Sequence, residues 1–231
     1  MKRVLIILSQ KWPEYLIEAL VIVASILGAF ALENWNEQQN RENFEQSTLN
    51  QILVNLKSDR ESLQSINNHF QRAIMSTDKI LRTNVSANDH DSLKYWLGDV
   101  VQFDRFHSLT NAYEVLKSKG LDVLSNKDLV YQLGKYYDDD VQRIVNTIGD
   151  IELTFNNDWV PVLKTEVVRF EFRKTLILSD AKLITENGLP RRILILNRDN
   201  YTTGSNKIAQ LLVSLNELIA TIETELKIIN K

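Results

Sequence analysis

The chain has no cysteine, and only 3 Pro and 7 Gly among 231 residues. The missing cysteine excludes disulfides, thiolate metal sites and a cysteine nucleophile together. It leaves the compartment open, because exported proteins need not contain cysteine. The shortage of breakers, with abundant Leu, Ile, Asn, Lys and Glu, points to long helices and little loop. Charge of one sign is also scarce: 27 Lys+Arg against 30 Asp+Glu gives a net −3. Nothing in that balance favours nucleic acid as a partner. The sequence lacks G-x-x-x-x-G-K-[ST], G-x-G-x-x-G, G-x-S-x-G and H-E-x-x-H. Its three histidines, His69, His90 and His107, stand singly. No nucleophile, base and orienting group assemble, so an enzyme is the disfavoured class and no cofactor is expected.

What is present is one long apolar run, Tyr15–Trp35, reading YLIEALVIVASILGAFALENW. From Tyr15 to Leu32 it carries a single charge, Glu18. As a helix those residues extend roughly 27 Å, near the hydrocarbon thickness of a bilayer. Trp12 and Tyr15 precede the run and Trp35 follows it, as an aromatic belt would. Pro13 and Glu14 suit a first helical turn. Three readings compete. Lys2, Arg3 and Ala29-Phe30-Ala31 suit a cleaved signal, but the run exceeds the usual ~7–15 residues. A soluble core helix would show a polar face, and this segment is apolar nearly all round. An uncleaved signal-anchor fits best. Lys2, Arg3 and Lys11 precede the span, whereas Arg41 is the one basic residue in the stretch 36–50. Positive charge stays on the cytoplasmic side, so the N-terminus is expected inside and the rest outside. In a Gram-negative cell the domain order is then a short cytoplasmic 1–14, an inner-membrane anchor 15–35 and a periplasmic helical domain 36–231.

Glu18 lies about 4.5 Å along the axis from Tyr15, near the headgroups, where a charge costs far less than at the bilayer centre. Ser25 and Ala29 share its face at i+7 and i+11. Ala24 and Gly28 form a second small-xxx-small pair. Together Glu18, Ala24, Ser25, Gly28 and Ala29 make a candidate helix–helix contact within the membrane. The alternative is a solvated carboxylate at a helix start.

The remainder is expected to be an all-α antiparallel bundle continuing from the membrane helix. Between Asn36 and Arg82 there is no Gly or Pro. Leu49, Ile52, Leu53, Leu56, Leu63, Ile66, Phe70, Ile74 and Leu81 mark one apolar stripe. Lys57, Asp59, Arg60, Glu61 and Gln64 are read as off that stripe. Val85–Asp91 is a polar break, and a short helix Ser92–Val101 follows, with Gly98 inside it. Thr110–Lys119 reads as a helix closed by Gly120 in the left-handed conformation. Ser125 and Asp128 form an S-x-x-D start signal for a helix beginning near Asn126 and running toward Trp159 and Pro161. Val168, Phe170 and Phe172 alternate with Arg169, Glu171 and Arg173, and Arg191–Asn197 is also strand-like. A small hairpin built from these two segments, within 167–197, stays open against helix and loop. Ile208, Leu211, Leu215, Leu218, Ile222, Leu226 and Ile229 form a near-heptad stripe expected to pack on the first long helix.

Candidate chemistry is thin. Asp138-Asp139-Asp140 would point three ways on a helix, which favours a solvated surface over a metal site. Asp89-His90-Asp91 lacks a second motif to complete a ligand set. Arg169, Arg173, Lys174, Arg191 and Arg192 suggest an anion-binding patch, but Glu166 and Glu171 interleave with them, as on a salt-bridged surface. Tyr113, Tyr136 and Tyr137 are either core or the lining of a ligand groove.

Two blocks carry a resemblance: ILGAFALENWNEQQNRE with LNQILVNLKSDRESL, and TNAYEVLKSKGLDVLSNKDLVYQLGKYYD. They resemble a domain-of-unknown-function family of Bacteroidota single-span membrane proteins, over roughly Tyr15–Asp138. Its members open with one span ending in a similar N-W-N-E and continue into a helical region. The second block, centred on Tyr113, Leu116, Gly120, Leu121, Leu129 and Tyr136-Tyr137, is similar to the family's central motif. The resemblance implies an anchor, its orientation and helical architecture, and brings no established activity, cofactor or catalytic residue.

The expected role is therefore a membrane-anchored, non-enzymatic structural, accessory or binding subunit of a cell-envelope assembly. Its partners would be membrane lipid and other envelope proteins or further copies of the chain. The alternative is a periplasmic ligand-sensing bundle. With only residues 1–14 before the span, it would signal through a partner protein.

Overall fold

A computed structural model describes the backbone of residues 2–82 and 90–229 and the side chains of 12, 13, 15–82 and 91–229. It is mostly helical. The first helix, α1 (Lys2–Arg82), matches the Gly- and Pro-poor sequence, with Pro13 inside it. By contacts the chain divides into two units, Met1–Ser47 and Thr48–Lys231. Among the described residues α1, over Tyr15–Arg82, is the one helix long and apolar enough to cross a membrane. No part of its apolar window is buried. Leu20, Val21, Ile22, Val23, Ile26, Leu27 and Phe30 are all exposed.

In the second unit the remaining α1 residues pack on α8 (Leu189–Ile229). Lys57–Glu223 at 2.6 Å, Gln71–Ser205 at 2.5 Å and Asp78–Arg198 at 2.5 Å step along the two helices in opposite senses. The pair is therefore antiparallel. Leu49, Ile52, Leu56, Leu63, Ile66 and Phe70 are buried on α1, and Ile208, Leu211, Leu215, Leu218, Ile222 and Leu226 on α8. Both stripes follow the helical period seen in the sequence. Gly204 permits the approach, since a Cβ there would sit 2.7 Å from the Phe70 ring.

Between the two long helices come α2 (His90–Val100), a non-helical connector over 101–110, and α3 (Asn111–Lys119). Gly120 closes α3 with φ 102, but ψ 130 lies outside the expected left-handed helical region. Its N–H donates to Leu116 O and Lys117 O. After a single 3-10 turn (Leu121–Val123), α4 (Lys127–Gly134) starts one residue later than Ser125 suggested. Asn126 is the cap: its Oδ1 accepts from Asp128 N and Leu129 N, both at 3.1 Å. That satisfies two of the amides a helix start leaves open. Helical backbone then runs unbroken to Glu166 through a π segment (Lys135–Asp140), α5 (Val141–Thr154), a second π segment (Phe155–Trp159) and α6 (Val160–Glu166). Neither Gly134 nor Gly149 breaks it.

The hairpin expectation needs correction. A two-stranded antiparallel sheet exists, but it is made of β1 (Val167–Glu171) and β2 (Thr175–Leu178) alone. Arg191–Asn197 belongs to α8. Ile193, Leu194 and Asn197 are buried there while Ile195 and Leu196 are exposed, a helical and not a strand pattern. Pro190 in its first turn suits a helix start. The hairpin turn is closed by Lys174 N donating to Glu171 O at 2.9 Å, with Arg173 at φ 64. The turn rests on α2, where Gly98 leaves room. A Cβ on Gly98 would sit 2.5 Å from Lys174 C and 2.8 Å from Thr175 N. The short α7 (Lys182–Thr185) leads into α8. Most of the predicted break Val85–Asp91 lies outside the described residues.

Candidate functional site

The bundle's polar interior centres on Asp59, which is 2 % exposed. This corrects the reading that put it off the α1 stripe. Its carboxylate accepts from Ser108 Oγ, from Tyr136 OH at 2.9 Å and from Leu109 N at 3.2 Å. Burial pushes its pKa above the ordinary carboxylate value, and these three donors only partly offset that. The sequence did hold the signal. Asp59 stands three residues after Leu56 and four before Leu63, which is stripe spacing.

Tyr136 and Tyr137 reach the interior side by side because they sit in the first π segment. Tyr137 stacks on Tyr113 at 4.5 Å, and Tyr136 meets Tyr137 edge-on at 4.9 Å. Tyr113 OH donates to Asp138 Oδ2 at 2.7 Å, and Lys117 Nζ lies 3.1 Å from the other Asp138 oxygen. Sequence reasoning therefore named three residues that do come together. They are 0 %, 3 % and 7 % exposed, so they fill the core and line no open groove. Burial pushes all three phenol pKa values up, which keeps the rings neutral at physiological pH. The Tyr137 hydroxyl and Trp159 Nε1, one in each π segment, are buried without a hydrogen-bond partner in the protein.

A second polar group holds the connector from the other side. Asp104 is 6 % exposed and meets His69 Nδ1 at 3.1 Å and Arg173 Nη2 at 2.6 Å. Arg173 also donates to Phe103 O at 2.9 Å. Tyr201 OH lies 2.9 Å from Val100 O and 3.0 Å from Gln102 O. Phe103, Phe155, Phe170 and Phe172 pack with centroids between 5.1 and 6.5 Å.

The other candidates disperse. Asp138 goes to Tyr113 and Lys117, while Asp139 and Asp140 hold Arg143. Arg169 pairs with Glu171, and Arg191 donates to Ile184 O and Leu81 O. Of Asp89-His90-Asp91, only Asp91 has a described side chain, and it pairs with Lys94 at 3.1 Å. Among the described residues no three His, Asp or Glu side chains group to hold a metal. In the first unit, Glu18, Ala24, Ser25, Gly28 and Ala29 are all exposed. Ser25 Oγ donates to Val21 O at 2.7 Å, and a Cβ on Gly28 would meet nothing within 4 Å.

The second unit has a groove of about 620 Å³ between the first π segment with α5 and the facing stretch of α8. Thr154–Asn200 at 3.3 Å and Thr147–Lys207 at 3.2 Å show that α5 and α8 run antiparallel along it. No sequence signal marked it, since its lining is split between segments some 60 residues apart.

No known protein family, curated protein or solved structure matches the chain.

Proposed function

We propose that this chain is a single-pass inner-membrane protein, N-terminus cytoplasmic, whose helical domain stands in the periplasm. There it serves as a structural, accessory or binding subunit of an envelope assembly. The observation that carries the reading is the apolar window of α1, which has no buried share. Large apolar side chains in unbroken sequence lose about 25 cal/mol per Å² while they face water. A bilayer removes that cost, and a helix satisfies its own backbone groups there. The polar interior of the bundle supports a non-enzymatic role, because its hydroxyls and carboxylates bind one another and the connector. Lipid covers most of the helix, and the face of Glu18, Ala24, Ser25, Gly28 and Ala29 meets a partner span or a second copy.

Cross-linking in native membranes, followed by mass spectrometry, tests this. Wild type is expected to give a discrete cross-linked partner that Gly28→Leu abolishes and Glu18→Gln weakens. Gly28 has open space around it, so the substitution leaves the chain's own packing intact. A chain that stays monomeric in mild detergent and cross-links to nothing refutes the proposal. A second reading, a ligand-sensing bundle that signals through a partner protein, draws on the groove between α5 and α8.

A further inference from the structure

The hairpin leaves one edge open. β2 pairs with β1 and packs against α2, whereas β1 has no second strand beside it among the described residues. The other backbone bonds of the hairpin sit at its two ends. There Lys174 N donates to Glu171 O at 2.9 Å and Ser179 N to Glu166 O at 2.8 Å. Along β1 alternate residues turn their N–H and C=O groups away from β2, and such a row is a template for another strand. Its side chains are correspondingly bare: Val168 is 68 % exposed, and Val167 and Arg169 are exposed as well. A sheet of two strands is also a marginal structure by itself.

The strand is complementary to itself. Val168-Arg169-Phe170-Glu171-Phe172 reads apolar, cation, apolar, anion, apolar. In an antiparallel pair of two such strands centred on Phe170, Arg169 of each copy stands opposite Glu171 of the other. Opposite charges directly across a strand pair stabilise it, and like charges oppose it. A slip of two residues is the smallest that keeps every side chain on its own face. In one direction that slip sets Arg169 against Arg169, and in the other Glu171 against Glu171. Both are repulsive, so the charges select one register. Arg169 already pairs with Glu171 in its own chain, an exposed contact that contributes little alone. In the paired form that contact is kept, and each carboxylate lies between two guanidinium groups. On the other face the Phe170 rings would meet beside Phe155, and Val168 would lie toward Phe172 of the other copy, itself 41 % exposed. The register shift between Val167 and Arg169 ends the regular ladder, so the shared stretch is short.

We infer that two copies of this chain pair through β1, forming a four-stranded sheet in the order β2-β1-β1-β2 about a two-fold axis at Phe170. The contact is isologous and closes on a dimer. It does not grow further, because β2 lies against α2. Any extended strand could use the open backbone groups. The match of Arg169 with Glu171 in both directions is what selects a second copy. The shared stretch is small, so the dimer is weak and reversible. The contact lies wholly in the second unit and is independent of the membrane face of Glu18 and Gly28.

The chain has no cysteine, so introduced thiols report the pairing without background. Residues directly opposite in an antiparallel ladder have Cα atoms about 4.5–5.5 Å apart, within disulfide reach. Differently tagged full-length Arg169→Cys and Glu171→Cys chains are co-expressed, purified in mild detergent and oxidised with copper phenanthroline. The mixed dimer is expected to form a disulfide between positions 169 and 171, while the remaining Glu171 and Arg169 still face each other. Each variant alone should give at least tenfold less. Two copies of one position stand roughly 8 Å apart, beyond the ~7 Å that a disulfide tolerates. Phe170→Cys, at the axis, should cross-link to itself. In that background Arg169→Glu should lower the yield about tenfold, and Arg169→Glu with Glu171→Arg should restore it. Neither Arg169 nor Glu171 is buried, so the mixed sample reads the pairing even where Phe170→Cys fails to fold. Equal yields from mixed and single samples, or a yield that ignores the charge reversal, overturn the pairing. Absence of a 169–171 disulfide also overturns it, and leaves the anchor proposal untouched because that is read by the Gly28→Leu comparison.

Discussion

Asp59 offers the sharpest test of how the bundle is held together. Truncation to Ala removes the acceptor for three donors, but they are not equal. Leu109 is 45 % exposed, so water can reach its amide. Tyr136 is 3 % exposed, and its hydroxyl has the carboxylate at 2.9 Å. Stranding that hydroxyl costs about 1–3 kcal/mol. The lost Ser108 bond adds about 1 kcal/mol, and removing a buried carboxylate gives some of this back. Asp59→Ala should therefore cost about 2 kcal/mol. Asp59→Asn keeps an acceptor oxygen and the shape, so it should cost less.

The two variants also differ in pH dependence. The folded pKa of Asp59 is raised, so the native state holds this proton more tightly than the unfolded chain does. Its contribution to stability is full below the unfolded value near 3.8 and is lost as pH rises through the folded value. Asn has no such loss. The stability of Asp59→Asn relative to wild type should therefore increase from pH 4 to pH 7. Urea denaturation followed by far-UV circular dichroism at several pH values reads this directly. If wild type instead gains on Asp59→Asn as pH rises, the donors outweigh burial and the reasoning fails. If Asp59→Ala is neutral, the carboxylate does not hold the core.

Two further outcomes follow from the packing and the ion pairs. Gly98→Ala drives a Cβ into the hairpin backbone, so it should cost about 1–3 kcal/mol. Gly149→Ala, with open space around it, should instead gain up to about 1 kcal/mol from helix propensity; equal effects on melting temperature would contradict the close approach of the hairpin to α2. Asp78, Asp138 and Glu152 are held below their ordinary pKa values, first by hydrogen bonds from Arg198, Tyr113 and Arg105 respectively. Stability from these groups is present above the unfolded carboxylate range and lost as pH falls through their folded values. Arg198→Met should flatten the Asp78 part of that acid loss in a melting series from pH 6 to pH 2.

What the sequence conveyed was periodicity, and it conveyed it well where one face of a long helix is buried. The stripes from Leu49 to Phe70 and from Ile208 to Leu226 sit where their spacing put them. It failed where residue type and spacing disagreed. Asp59 was judged by its charge, although its position matched the stripe. Arg191–Asn197 was read as strand-like from its short apolar run, although Ile193, Leu194 and Asn197 share a helical face. The π segments were illegible for another reason. A π turn slips the period by one residue, and Tyr136-Tyr137 reads equally well as one buried and one exposed ring. The groove was hidden because its two walls meet only through the antiparallel docking of α5 on α8.

Several of the buried polar residues have a common cause. The connector over 101–110 is non-helical and is tied to the flanking helices only at its ends, where Val101 N–H donates to Leu97 O and Thr110 O accepts from Glu114 N, yet Val101, Gln102, Asp104 and Phe106 are buried. Backbone polar groups cannot be left unpaired there. The single hydroxyl proton of Tyr201 from α8 is shared between the carbonyls of Val100 and Gln102, Arg173 donates to that of Phe103, and Asp59 from α1 accepts from the amide of Leu109. His69 and Arg173 then fix the Asp104 side chain from two elements. Asp59, Asp104 and Tyr201 are thus explained by the loop they tie down, which is a structural demand, whereas Ser205 bonds Asn67 and Gln71 between the two long helices. Lys135, Asp150 and Gln210 face the groove and serve no such tie to the connector.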